Sequence, residues 1–150
     1  FDLISRDLQC AITSDVPGKE IPFQIKTGGN GEVGTFITAS SLTDANSKLC
    51  EVSYSVDSND TLRRKSVDSS NVGGYWDFLG APSGWSVNDV NSDKIIGGVD
   101  NFSMTASGGS GNSLPDYVTI ELSLFDEDKP KGQDEKQSLR TFTKIVYLGN

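Results

Sequence analysis

The chain contains no histidine, and that absence removes imidazole-bound zinc and every histidine-based catalytic triad. Cysteine is almost as scarce. Cys10 and Cys50 are too few for a disulfide framework, and no metal-ligand spacing surrounds them. Cations are in short supply as well: 13 Lys and Arg against 21 Asp and Glu give a formal charge of -8. A nucleic-acid partner would need clustered cations to displace counterions from phosphates, so none is expected. The one basic run, Arg63-Arg64-Lys65, reads as an exposed stretch of strand. No stretch approaches the roughly 20 apolar residues that cross a bilayer, and no charged-then-apolar signal sequence stands at the start.

What is present describes one folded domain, residues 1–150. A chain of 150 residues has the length of a single domain and buries about two thirds of the surface its unfolded form exposes. Its apolar residues make up 35% of the total and recur in short runs between turn clusters, which separates it from a disordered chain.

The opening residues predict a helix. Phe1, Ile4, Leu8, Ala11 and Ile12 fall on one stripe, and Asp2 precedes Arg6 by four residues in the favourable orientation. Pro17 ends the pattern, so residues 1–13 are assigned to the helix and residues 20–150 to a β-rich body. No Ser, Thr, Asp or Asn cap precedes the stripe, and a helix of about 12 residues is marginal alone. The natural helix is therefore expected to begin upstream of Phe1.

Strand and turn follow. Ile21, Phe23 and Ile25 alternate, and a second strand covers Thr35 to Ala39. Leu49 to Val56 places Cys50, Val52, Tyr54 and Val56 on one face, and Asp57-Ser58-Asn59-Asp60 turns the chain into Thr61 to Lys65. Ile95 to Met104 reads as one strand entered through Gly97-Gly98. Tyr117 to Phe125 has the clearest pattern, with Val118, Ile120, Leu122 and Leu124 opposite Thr119, Glu121 and Ser123. Leu139 to Leu148 is apolar on both faces, which predicts a central position in the sheet. One helix followed by about seven strands is an α+β order, in which the helix buries its stripe on a mostly antiparallel sheet with long loops between strands.

Several of these segments together resemble the J-type minor pseudopilins of type II secretion and, more loosely, other prepilin-like minor pilins. Arg6-Asp7-Leu8 stands where that family closes its long helix with an arginine-aspartate-leucine signature. Leu49-Cys50-Glu51-Val52-Ser53-Tyr54 and Leu62-Arg63-Arg64 look like its hairpin. Ile96-Gly97-Gly98-Val99, then Leu114-Pro115, then Val118 to Leu122, and finally Arg140 to Leu148 stand in the family's order. The resemblance implies a pilin-like fold and a non-enzymatic structural subunit of a pseudopilus or type IV pilus-like filament. It would work in protein transport, held at the periplasmic face of the bacterial inner membrane by a longer amino-terminal helix or carried in an extracellular filament, with other pseudopilin or minor pilin subunits as partners and no cofactor.

Within that reading Phe1, Leu3, Ile4 and Leu8 are the interface candidates. Cys10 and Cys50 carry two readings: a disulfide worth about 2–4 kcal/mol in an oxidising periplasm, or two separate buried thiols. Asp126-Glu127-Asp128 with Asp134 and Glu135 forms the best calcium candidate, but it lacks EF-hand spacing and reads more simply as a solvated loop, so no metal site is assigned. The alternative function is a secreted carbohydrate-binding β-sandwich module, stacking sugars on Tyr75, Trp76 and Trp85.

Overall fold

The structure, a computed structural model, describes residues 1–14, 17, 21, 23–25, 32–39, 49–68, 92–109, 113–125 and 139–149. Helix α1 covers Asp2–Gln9, with Asp2 in its first turn and Arg6 in its last, both complementing the helix dipole. Phe1 occupies the N-cap position without a side-chain cap. The helix is shorter than its apolar stripe implies, because Ala11–Ile12 form strand β1 against Thr38 and Ile37. The Ala39 N–H also donates to the Cys10 carbonyl at 2.9 Å. Pairing with an existing strand satisfies this backbone better than one more unsupported helical turn, so tertiary context overrides the local periodicity.

Two antiparallel sheets follow. The first contains β1, β2 (Phe23–Ile25), β3 (Glu32–Thr38), β4 (Cys50–Val56), β5 (Leu62–Asp68) and β6 (Asp93–Ile96). Its order is β1-β3-β4-β5-β6, with β1 and β2 end to end along one edge of β3. The second sheet runs β7-β8-β9, from β7 (Val99–Ser107), β8 (Tyr117–Phe125) and β9 (Leu139–Tyr147). An α+β architecture, one amino-terminal helix on a mostly antiparallel body, is thus the observed fold class.

Two strand expectations are corrected. Ile95 to Met104 is not one strand: Gly98, at φ 70, breaks it into β6 and β7, which belong to different sheets. Nor is β9 central. It is the edge of its sheet among the described residues, with Phe142, Ile145 and Tyr147 exposed. Its apolar residues divide between a core face, where Val146 and Leu148 are buried, and a face that nothing described covers.

The core lies between the sheets and under the helix. Ile4 and Leu8 from α1 join Phe36, Val52, Val56 and Leu62 of the first sheet and Phe102, Met104, Val118, Ile120 and Val146 of the second in one buried cluster. A row of rings, Phe23, Phe36, Tyr54 and Phe102, crosses from one sheet to the other with centroid spacings of 5.3, 6.5 and 6.5 Å. Gly34 of β3 completes the seam, since a Cβ there would lie 2.9 Å from the Met104 Sδ. A side chain at this point would require Met104 to shift.

Candidate functional site

The hairpin register decides where the basic run points. Tyr54 lies opposite Arg64 and Val56 opposite Leu62, so Arg64 shares the core face with Leu62 and the apolar residues of β4. Arg64 and Lys65 are buried and Arg63 is half-buried, which corrects the expectation of an exposed basic strand. An arginine cannot stay in such a place without a counter-charge. Helix α1 supplies it one residue before Leu8.

Asp7 is fully buried, and its carboxylate is saturated by the hairpin. Oδ2 accepts from the Tyr54 hydroxyl at 2.5 Å and from Arg64 Nε at 2.7 Å, while Oδ1 accepts from Arg64 Nη2 at 3.3 Å. The forked guanidinium and the phenol together fix the rotation and height of the helix on the sheet, because both donors have directional demands. Three residues from α1, β4 and β5 therefore form one buried polar lock.

Burial pushes the Tyr54 phenol well above its ordinary range, and the adjacent Asp7 carboxylate raises it further, while Arg64 pulls the other way. Burial works against the Arg64 charge, but the hydrogen bond and attraction from Asp7 outweigh it and hold its pKa above the usual guanidinium value. The Tyr54 shift has a sign that can be tested. An unfolded tyrosine loses its proton near pH 10, whereas the folded one keeps it, so above that pH the native state binds more protons and stability falls as pH rises. Tyr54→Phe is expected to be less stable at neutral pH, having lost the hydrogen bond to Asp7. Its melting temperature should then decline less steeply than that of the parent above about pH 10, as followed by circular dichroism.

A second polar cluster closes the hairpin turn. The buried Asp57 carboxylate accepts from the Asn59 N–H at 2.8 Å and the Thr61 N–H at 3.1 Å, and pairs with Arg63. Burial alone would raise its pKa, but the hydrogen bonds from Arg63, Asn59 and Thr61, with the Arg63 charge, hold it below the usual carboxylate range. This arrangement shapes the turn and does not resemble a catalytic carboxylate pair.

The outer flank of the helix is different in character. Phe1 is 37% exposed and packs its ring on Phe142 of β9 at a centroid distance of 6.5 Å. The Lys144 Nζ lies 3.4 Å from the Asp2 carboxylate, an exposed pair of small energetic weight. Between them runs a groove of about 320 Å³, walled by Asp2, Arg6 and Gln9 on the helix and by Lys144 to Tyr147 on the strand.

Of the four interface candidates, Ile4 and Leu8 are committed to the domain core, so they are corrected to core residues. Phe1 and the half-buried Leu3 remain accessible. Cys10 and Cys50 are not bridged. Ala11 pairs with Thr38 and Thr38 with Cys50, which sets β3 between the two thiols. Two strand spacings, about 10 Å, exceed the reach of a disulfide. The acidic residues Asp126 to Glu135 and the rings of Tyr75, Trp76 and Trp85 lie outside the described residues. Among the described residues no cluster of three metal-ligating side chains occurs.

Sequence reasoning missed the Asp7, Tyr54 and Arg64 lock, although two signals pointed to it. Asp7 interrupts the apolar stripe between Ile4 and Leu8, and period-two alternation from Leu62 places Arg64 on the core face. Among protein-family models, curated proteins and solved structures, none matches this chain.

Proposed function

We propose that the chain is the head of a structural subunit in a type II secretion pseudopilus or a type IV pilus-like filament, and that it works by assembly and not by catalysis. The observation that carries this reading is the manner in which α1 is held. The helix is locked to the β body by a buried carboxylate, guanidinium and phenol near its end, while Phe1 at its start is 37% exposed. Such a helix transmits position, because its last turn is held rigidly by the head. In this proposal the helix continues upstream as an apolar anchor of roughly 20 residues that sits in the inner membrane before assembly. The head then faces the periplasm, and sibling pilin-like subunits are its partners.

Arg6-Asp7-Leu8, on which the family resemblance partly rests, gains a physical reason here. Asp7 is the residue that docks the head, and Leu8 fills the core beside it. The test is expression of the complete reading frame in the source cell, with co-purification of pilin-like proteins from detergent-solubilised membranes. Phe1→Arg places a charge on the exposed end of the helix and leaves the core untouched, so it should keep the head's stability within about 0.5 kcal/mol of the parent while abolishing recovery of the siblings. Recovery of no pilin-like protein with the parent sequence would remove the proposal.

A further inference from the structure

Strands β8 and β9 bring two tyrosines together. Tyr117 opens β8 and Tyr147 closes β9, and the register sets them directly opposite each other at the end of a pairing that runs for nine residues without a break. Their ring centroids lie 5.8 Å apart. The backbone beside them is pinned as well, since the Leu148 N–H donates to the Asp116 carbonyl at 3.0 Å and the Asp116 N–H to the Ser107 carbonyl at 2.9 Å. The rings therefore stay neighbours while each turns about its own side-chain bonds. Tyr147 is 71% exposed and Tyr117 is half-buried, so one of the two phenols is open to an oxidant in solution. Tyr54 has no such partner among the described residues: its ring neighbours are Phe36 and Phe102, and its hydroxyl donates to Asp7.

We propose that Tyr117 and Tyr147 form a site of oxidative coupling, at which a one-electron oxidant of the peroxidase class joins the two rings through a carbon–carbon bond. Each phenol gives up one electron and its hydroxyl proton. The two phenoxyl radicals combine ortho carbon to ortho carbon, and the hydrogens on those carbons pass to the oxygens, which restores both aromatic rings. The pair has then lost two electrons and two protons, and with one hydrogen peroxide these make two waters. Holding both rings in one place is what favours this bond over coupling between molecules. The product staples β9, the edge of its sheet among the described residues, to β8 and closes the chain between them into a covalent loop. The inference does not rest on the filament reading, because it uses only the geometry of this pair.

The test treats the dilute 150-residue chain with a haem peroxidase and hydrogen peroxide and follows dityrosine fluorescence, intact mass and peptide mapping. The expected product is a monomer lighter by two hydrogens, with the fragments that contain Tyr117 and Tyr147 joined. Its yield should be at least about tenfold higher in the folded chain than in the same chain unfolded in urea, where the rings meet only by chance. Tyr117→Phe and Tyr147→Phe each keep a ring in place and should each abolish the monomeric crosslink. The coupled monomer should melt on the order of 5–10 °C above the untreated chain. No crosslink, crosslinks only between molecules, equal yields from folded and unfolded chain, or a monomeric crosslink that survives either Phe variant would each overturn the proposal.

Discussion

Asp7→Ala is expected to destabilise the chain by about 3–5 kcal/mol, because it leaves a buried guanidinium without its counter-charge. Arg64 stays under Tyr54 and the helix with two donors that had bonded to Asp7, and the Tyr54 hydroxyl loses its acceptor at the same time. In a chain of this size each kcal/mol moves the melting temperature by about 2–4 °C, so a drop on the order of 10 °C should appear in a thermal melt. The attraction within the lock is not the same quantity as this loss. Two buried ions give up their hydration, and exchanging both for apolar residues of similar volume is often neutral or stabilising. The double variant D7L/R64M should therefore be more stable than Asp7→Ala, a non-additivity that marks the residues as one unit. If the two single losses simply added in the double variant, Asp7 and Arg64 would be independent and the lock would not exist.

Leu8→Ala is expected to cost about 2–5 kcal/mol, from lost transfer free energy and from the cavity left between the sheets. Leu8 is fully buried in the cluster that joins helix and both sheets, so little relaxation can close the gap. Phe1→Ala, on the same stripe, should change stability by no more than about 0.5 kcal/mol, since Phe1 is exposed and its ring packs on Phe142 of the edge strand. Urea denaturation of the two variants checks this contrast. Comparable losses at both positions would mean that the helix is held evenly along its length, with no end left for assembly.

Parts of this architecture were legible because one periodicity dominated locally. Strand β8 alternates over nine residues and was readable to its ends, and the hairpin of β4 and β5 was announced by Asp57-Ser58-Asn59-Asp60 between two runs. The errors fall where a distant partner decides. Ala11 and Ile12 continue a helical stripe perfectly well, yet β3 offers them backbone partners that no local pattern contains. Gly97-Gly98 reads locally as the entry to a strand, whereas the left-handed Gly98 redirects the chain to another sheet. Strand β9 is apolar on both sides because one face belongs to the core and the other is exposed among the described residues, and sequence alternation does not distinguish an exposed face from a covered one.

The candidate site was half legible for a related reason. Phe1 is exposed, and Leu3 is half-buried. Arg64 and Lys65 read as surface from sequence, since three adjacent cations usually are. Placing Arg64 inside requires the hairpin register and the helix together, and the pairing of Asp7 with Arg64 spans 57 positions of sequence.

The most direct test of the assembly account replaces Phe1 with a photo-crosslinking phenylalanine in the complete protein and irradiates intact cells. The account predicts a covalent adduct between position 1 and the helix of a pilin-like subunit, identified by mass spectrometry and lost when Asp7→Ala undocks the head. An adduct formed only with residues of the same chain, or unaffected by Asp7→Ala, would contradict it.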